Sequence, residues 1–179
     1  MNQQREVAIL GGGCFWCLDA VYRQVRGVTS VETGYAGGQL ANPGHEQVAS
    51  GATGHAQVVR LEFDPAVVGY HDLLEVFFTI HDPTTVDRQG NDVGTQYRSL
   101  IVACAPQQEA VAHQVIAEMA GVWDGPIVTQ VLPDQPFYRA DDAHQDYVAR
   151  HPLLSYCALL AAPKVDRFRA MYARLAKVA

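Results

Sequence analysis

Cys14 follows three consecutive glycines at a point where a predicted strand passes into a predicted helix. The apolar run at residues 7–10 is typical of a strand, and from Leu18 onward apolar side chains recur at helical spacing until Gly27. The glycines let the backbone turn sharply between the two elements. Cys14 is therefore predicted to lie at a helix N-terminus, where unpaired amides and the helix dipole lower the pKa of a thiol. We interpret Cys14 as a nucleophile.

Other uses of this glycine-rich turn fit the sequence less well. A dinucleotide-binding motif requires glycine where the chain has Trp16, and no Lys-Ser/Thr pair follows to form a phosphate loop. A zinc site is disfavoured because Cys104 and Cys157 are isolated from each other, and Cys104 falls in a predicted buried strand. A thioredoxin-type dithiol remains the rival interpretation, since Cys14 and Cys17 are one helical turn apart.

Several short motifs together resemble the peptide methionine sulfoxide reductase A family. They are GGCFWC at 12–17, GYAGG at 34–38, TGHA at 53–56, HDPTT at 81–85, RQGNDVGTQYRS at 88–99, HQDY at 144–147 and YC at 156–157. The resemblance extends over nearly the whole chain, from about residue 8 to residue 168.

The resemblance implies a thiol-dependent reduction of methionine-S-sulfoxide, free or in proteins. Cys14 would attack the sulfoxide sulfur and become a sulfenic acid, while Phe15 and Trp16 hold the S-methyl group of the substrate. A second cysteine, Cys17 or Cys157, would then form a disulfide that thioredoxin reduces. The resemblance implies repair of oxidised proteins, with no cofactor and no metal.

Two expected pocket positions depart from the family pattern, because the chain has Gln57 where relatives usually have Glu and His45 where they usually have Tyr. Gln57 can donate a hydrogen bond to the sulfoxide oxygen but cannot act as a general acid. The missing proton could come from His45, from Tyr97, which matches a second family tyrosine, or from the thiol of Cys14. Alternatively, orientation by Gln57 suffices. Asp92 matches a family position beside the pocket and is expected to orient the substrate.

Alternating short strands and amphipathic helices predict an α+β fold, a two-layer α/β sandwich, for which the resemblance implies a ferredoxin-like core with a mixed sheet. Strands are predicted at residues 28–34, 56–63, 99–104 and 127–132, and helices end near 81, span 106–122 and span 163–177. Residues 39–54 and 82–97 are predicted as long polar loops. Alternation in the 56–63 strand places Gln57 on its apolar face, unless that strand end is frayed.

The 179 residues are expected to form one peptide methionine sulfoxide reductase A domain, 1–179, and a monomer. A formal net charge of −6, without a basic stripe, argues against nucleic-acid and membrane partners. The polar N-terminus and the four cysteines favour the reducing cytoplasm. Two other functions stay open: a general dithiol oxidoreductase, and a non-catalytic sulfoxide-binding or thiol-based sensor, which the changes at Gln57 and His45 make more plausible.

Overall fold

The protein is described by a computed structural model that covers residues 4–155 and 157–178, without the side chains of Cys157 and Ala158. The strands in this part of the chain are β1 (Glu6–Gly11), β2 (Val28–Ala36), β3 (Ala56–Phe63), β4 (Arg88–Gln89), β5 (Asp92–Val93), β6 (Leu100–Ala103), β7 (Gln130–Pro133) and β8 (Tyr138–Arg139). The α-helices are α1 (Phe15–Tyr22), α2 (His45–Ala49), α3 (Tyr70–Ile80), α4 (Pro106–Met119), α5 (Tyr147–Arg150) and α6 (Ala162–Met171).

Six of the strands form one mixed sheet in the order β7-β6-β1-β3-β2-β8. Neighbouring strands are antiparallel except for the β6–β7 pair, which is parallel. The segment β1-α1-β2-β3-α3-β6 places β3 between β1 and β2, in the order β6-β1-β3-β2. This is the split βαβ arrangement of a ferredoxin-like core. The predicted α+β class and mixed sheet are confirmed.

Alternation along the central strands explains why the sheet has two different faces. Ala8 and Leu10 of β1, with Val59 of β3, pack into a large core that also contains the apolar faces of α1, α3 and α4. Ile9 and Val58 point to the other face and belong to a smaller apolar cluster. The helices therefore form the second layer, and the large core lies between them and the sheet.

Gln57 lies on the helix-covered face of β3, as the alternation predicts. It pairs with Tyr35 of β2 within a regular register and is only 3% exposed. The alternative interpretation, a frayed strand end, is wrong.

Several predicted boundaries shift, each for a local reason. Helix α1 ends at Tyr22 rather than near Gly27, because Val25 forms a bridge with Ala176 and the chain leaves the helix to meet the C-terminal segment. The last helix ends at Met171 rather than at residue 177, and a 3₁₀ turn at Ala173–Leu175 follows it.

The two segments predicted as loops, 39–54 and 82–97, contain short regular elements that their polar sequences do not indicate. The first holds α2, and the second holds the β4–β5 hairpin and a 3₁₀ turn at Thr95–Tyr97. The last predicted strand begins at Gln130, later than expected, and α4 ends at Met119, earlier than expected. None of the helices in the described ranges is both long and apolar enough to cross a membrane.

Candidate active site

Cys14 is the N-cap residue of α1, as the glycine-rich turn predicts. Its backbone is extended, with φ −63° and ψ 127°, and its carbonyl accepts the first helical hydrogen bond from the N–H of Cys17 at 3.1 Å. Gly13 has φ +93°, and the Gln89 side chain packs where a Cβ would be, so this position requires glycine. The turn thus presents the Cys14 thiol at the N-terminal end of the helix, where the helix dipole favours negative charge.

A cavity of about 110 Å³, the first cavity, opens beside Cys14. It is lined by seven residues from four separate parts of the chain: Cys14, Phe15, Trp16, His45, Gln57, Asp92 and Tyr97. These are all the predicted catalytic and substrate-binding residues except the two candidate resolving cysteines.

The Gln57 amide is oriented by the start of α1. The backbone N–H of Phe15 donates to Gln57 Oε1 at 3.2 Å, at a buried position. Because the amide oxygen accepts this bond, the amide NH₂ must lie on the other side of the group. Gln57 lines the cavity, so it can offer a hydrogen-bond donor to a bound oxygen atom.

Two aromatic side chains form the apolar part of the wall. Phe15 is fully buried, and its ring centroid lies 6.4 Å from that of Trp16. The Trp16 indole stacks on Tyr147 with a centroid distance of 3.8 Å and an interplanar angle of 5°. This face-to-face contact with Tyr147 holds the indole plane in one orientation.

His45 reaches the cavity from α2, inside the segment predicted as loop. Its Nδ1 lies 3.2 Å from the hydroxyl of Tyr35, and its ring stacks on His144 at 4.2 Å and on Phe15 at 6.1 Å. Burial, with a smaller effect of the Asp141 charge, raises the pKa of Tyr35, so that its phenol stays protonated at neutral pH.

Tyr97 and Asp92 face the cavity from the region of the β4–β5 hairpin. Burial raises the pKa of Tyr97, and the negative charges of Asp92 and Cys14 add to this effect. The Tyr97 hydroxyl is therefore a proton-bearing donor at neutral pH. Gln96 donates from Nε2 to the carbonyl of Ala49 at 3.1 Å, which ties this turn to the end of α2.

Two other histidines are structural. His55 accepts from the N–H of Gly38 at Nδ1 (3.0 Å) and donates from Nε2 to the carbonyl of Leu40 (2.7 Å), which anchors the loop before α2. His81 is buried against Gly12, and burial lowers its pKa to about 3. The Nδ1–H of the neutral ring donates to the Phe77 carbonyl. The ring, held in this way, packs against Gly12 of the glycine turn.

His144 and Tyr147 were not predicted to support the site; they do not line the first cavity, but their rings contact His45 and Trp16, which do. The HQDY motif carried the signal, because each of its residues makes a different contact. Gln145 accepts from the N–H of Thr33 at 2.8 Å and donates to its carbonyl at 3.0 Å, thereby imitating a strand partner for β2. The N–H of Asp146 donates to Asp19 at 2.9 Å. These bonds fix the two rings against Trp16 and His45.

A second cavity, also about 110 Å³, lies beside Cys14 and Cys17. The rest of its wall consists of the β4–β5 hairpin and two residues near the C-terminus, listed in chain order as Gln89, Gly90, Asn91, Asp92, Leu160 and Lys164. Cys17 is buried. The side chain of Cys157, the other candidate resolving cysteine, lies outside the described residues, but the π-helix Cys157–Ala161 that begins with it packs against α1.

One group of metal-ligating side chains stands apart from both cavities. His71, Glu75 and Glu118, on α3 and α4, have ligand atoms within 4.8 Å of one another. The His71 ring lies 2.7 Å from the Glu118 carboxylate and 3.5 Å from that of Glu75, so ion pairs account for the group when His71 is protonated. None of the three lines either cavity.

Comparison with known proteins gives a consistent result. The model of the family described as peptide methionine sulfoxide reductase matches residues 6–176. Peptide methionine sulfoxide reductase MsrA of Ralstonia nicotianae is 52% identical over 178 residues, which cover 96% of this chain and 93% of the relative. The protein of the same name from Saccharolobus solfataricus is 47% identical over 173 residues, covering 97% and 98%.

Solved structures agree in fold. The reduced form of Mxr1 from Saccharomyces cerevisiae has a TM-score of 0.81 and 30% identity, covering 88% of this chain and 91% of that one. Methionine sulfoxide reductase A of Corynebacterium diphtheriae has a TM-score of 0.77 and 31% identity, covering 86% and 78%.

Proposed function

The chain belongs to the peptide methionine sulfoxide reductase family, and we propose that Cys14 is the nucleophile with which it works. The protein is an oxidoreductase that uses thiol chemistry to reduce methionine sulfoxide to methionine. The observation that supports the role of Cys14 is the first cavity. It combines a thiol at a helix N-terminus, two aromatic rings and several hydrogen-bond donors within one small space.

In the first step, the Cys14 thiolate attacks the sulfoxide sulfur and forms a sulfur–sulfur bond while the oxygen takes up a proton. The oxygen then moves to the Cys14 sulfur as hydroxide, and both its bond to the substrate sulfur and the new sulfur–sulfur bond break. Methionine leaves, and the oxygen ends on Cys14 as a sulfenic acid, so the sulfoxide is reduced by two electrons while the thiol is oxidised by two. Phe15 and Trp16 hold the S-methyl group by burial, which contributes about 1 kcal/mol. Asp92 orients the substrate from the opposite wall.

The departing oxygen must be protonated. In this chain the pocket residues near it, Gln57 and His45, differ from those that relatives usually have. The NH₂ of Gln57 donates a hydrogen bond to the oxygen, while His45 as an imidazolium, or Tyr97, supplies a proton. If His45 is the acid, the rate falls toward high pH, where an acid no longer holds the proton that it must donate. An unchanged pH profile in His45→Ala would reject that role.

In the second step, a thiol attacks the sulfur of the sulfenic acid, water leaves and a disulfide forms. We assign this step to Cys17 or Cys157, with the second cavity as the space where the sulfur atoms meet. A thioredoxin then reduces the disulfide by thiol exchange. In support, the relative Mxr1 has been solved in complex with Trx2.

Three further features belong to the same proposal. The substrate is a single epimer at sulfur, because a pocket with one thiol, one aromatic wall and one donor wall accepts a single arrangement of oxygen, methyl group and lone pair around that sulfur. The resemblance to the family identifies this epimer as S. Residues 1–179 act as one domain. The protein works in the cytoplasm, where a reducing environment returns Cys14 and Cys17 to thiols between turnovers.

The decisive experiment uses the two separated sulfoxide epimers of a blocked methionine, with thioredoxin or dithiothreitol as the electron source. Wild-type protein is expected to reduce the S epimer alone, and Cys14→Ser is expected to abolish this reaction. No turnover of either epimer by folded wild-type protein would contradict the proposal and favour a sulfoxide-binding sensor. Rapid reduction of insulin disulfides would instead indicate a general dithiol oxidoreductase, which the burial of Cys17 disfavours.

A further inference from the structure

His45 and His144 form a stacked pair of imidazole rings at the edge of the first cavity. Their centroids are 4.2 Å apart, and the angle between the rings is 25°. His45 lies on α2 and lines the cavity, whereas His144 ends the 3₁₀ turn Asp142–His144 and does not line it. At this separation in a partly buried site, two imidazolium charges would repel strongly, so the pair carries at most one positive charge.

The hydrogen bonds of the two rings differ. His45 Nδ1 lies 3.2 Å from the Tyr35 hydroxyl, which can donate to a neutral Nδ1 or accept from a protonated one. His144 Nδ1 is buried and has no hydrogen-bond partner among the described residues. An imidazolium carries an N–H on both nitrogens, so a charge on His144 would leave a buried donor unsatisfied.

We propose that His144 is a positioning residue for His45: it remains neutral, holds the His45 ring by stacking, and leaves the one positive charge of the pair on His45. This inference rests on the proposed reduction at Cys14, in which His45 protonates the departing oxygen. His45 then acts as an acid in the place where relatives usually have a tyrosine, and His144 keeps that acid aimed at the cavity.

The charged and titratable groups around the pair are consistent with this assignment. Cys14, Asp92 and Tyr97 line the same cavity as His45. Asp141 favours a charge on His144, but burial and the proximity of His45 outweigh it and lower the pKa of His144. On the other sides, the pair is covered by the apolar faces of two rings, since Phe15 stacks on His45 and Trp16 stacks on His144.

Two variants of His144 separate positioning from charge. In His144→Ala, the stacking partner is lost, and we expect single-turnover formation of methionine at pH 6 to slow about tenfold, because the acid is misplaced. In His144→Phe, a neutral ring remains, and we expect the rate to stay within about twofold of wild type, with the same fall of rate toward high pH. A His144→Phe variant as slow as His144→Ala would overturn the proposal.

A second measurement follows the rings directly. In reduced wild-type protein, NMR titration of the imidazole signals is expected to show His45 gaining a proton before His144. In His45→Tyr, the His144 titration is expected to move to higher pH, because the neighbouring charge is gone. Protonation of His144 before His45 would refute the inference. Failure of wild-type protein to reduce any sulfoxide would reject the proposed function instead, and the titration would still decide which histidine carries the proton.

Discussion

The two cavities beside Cys14 are similar in volume but built in different ways. The wall of the first comes from elements tied to the sheet or to each other: Gln57 lies in a central strand, and Trp16 is stacked on Tyr147. The wall of the second comes from the β4–β5 hairpin, whose Asp92 also lines the first cavity, and from Leu160 and Lys164 near the C-terminus. Leu160 lies in a segment where several leucines, such as Leu159 at 73%, are exposed.

The difference matches the two halves of the proposed reaction. Binding a small sulfoxide requires fixed donors and a fixed apolar wall, because misplacement by about 1 Å costs rate. Disulfide formation requires two sulfur atoms to approach to bonding distance, and afterwards a reductase must reach them. We infer that the substrate side is anchored to the central sheet, whereas the thiol side is formed by the hairpin and the C-terminal segment.

Removing the resolving thiol tests this division most strongly. When the cysteine that attacks the sulfenic acid, Cys17 or Cys157, is replaced by serine, each enzyme molecule should still form one equivalent of methionine. Thioredoxin-driven turnover should fall about 100-fold or more. A 1,3-dione reagent should then label Cys14, since its sulfenic acid persists.

Cys104→Ser provides the matched control. Cys104 packs with the smaller apolar cluster on the other face of the sheet, and burial raises its pKa to about 11, so its removal should leave turnover unchanged. Loss of the first equivalent of methionine in both Cys17→Ser and Cys157→Ser would show that the two cavities do not divide the reaction.

The glycine turn between strand and helix is shared by both cavities, and His81 should make its stability depend on pH. The folded-state pKa of this fully buried ring is about 3, lowered by burial from a usual value of 6.5. Because the folded state prefers the neutral ring, its contribution is complete above pH 6.5 and is lost as the pH falls toward 3. Between pH 7 and 4.5 the free energy of unfolding should fall by about 3 kcal/mol through this group.

Urea denaturation of wild type and His81→Gln at these two pH values measures this contribution. The variant cannot titrate at this position and should show a smaller loss on acidification. His113→Gln, which changes an exposed histidine on α4, should behave like wild type. Equal pH dependence in wild type and His81→Gln would contradict the prediction.

The position of a residue was predicted correctly where the local sequence pattern determines it. Cys14 was predicted from glycines, a strand and helical spacing, and Gln57 was predicted to face inward from strand alternation. The α+β class was predicted correctly because short strands and helices alternate along the chain, although β7 begins later than predicted.

Prediction from the sequence failed where a contact or a helix end depends on packing between segments that are distant in the chain. His144 stacks on His45 from 99 positions away in the chain, and no local periodicity indicates such a contact. The early end of α1 depends on a bridge between Val25 and Ala176, which the helical spacing of the sequence does not show. Short helices such as α2 were hidden for the same reason, since five polar and small residues carry no helical pattern.

Restoring the glutamate that relatives usually have at position 57 should increase the rate of the reaction in the first cavity. In Gln57→Glu, a protonated carboxyl can give up a proton that an amide cannot, so the single-turnover rate should rise about tenfold at low pH and decline as the carboxyl ionises. Gln57→Leu, which removes both the donor and the acceptor for the Phe15 N–H, should instead be slower than wild type. An unchanged rate in Gln57→Glu would mean that His45 or Tyr97 already supplies every proton required.

The smallest effect should come from the ring that fixes the aromatic wall. Tyr147 contributes no group to the first cavity, but its stacking on Trp16 at 3.8 Å holds the indole plane. Tyr147→Leu loses an aromatic contact of about 1 kcal/mol, which corresponds to about a fivefold loss in kcat/KM for the S-sulfoxide. Tyr147→Phe keeps the ring without the hydroxyl and should match wild type. Equal kcat/KM values for Tyr147→Leu and Tyr147→Phe would contradict this prediction. The indole would then be held by other contacts, and the substrate side would depend less on the HQDY motif than the stacking geometry indicates.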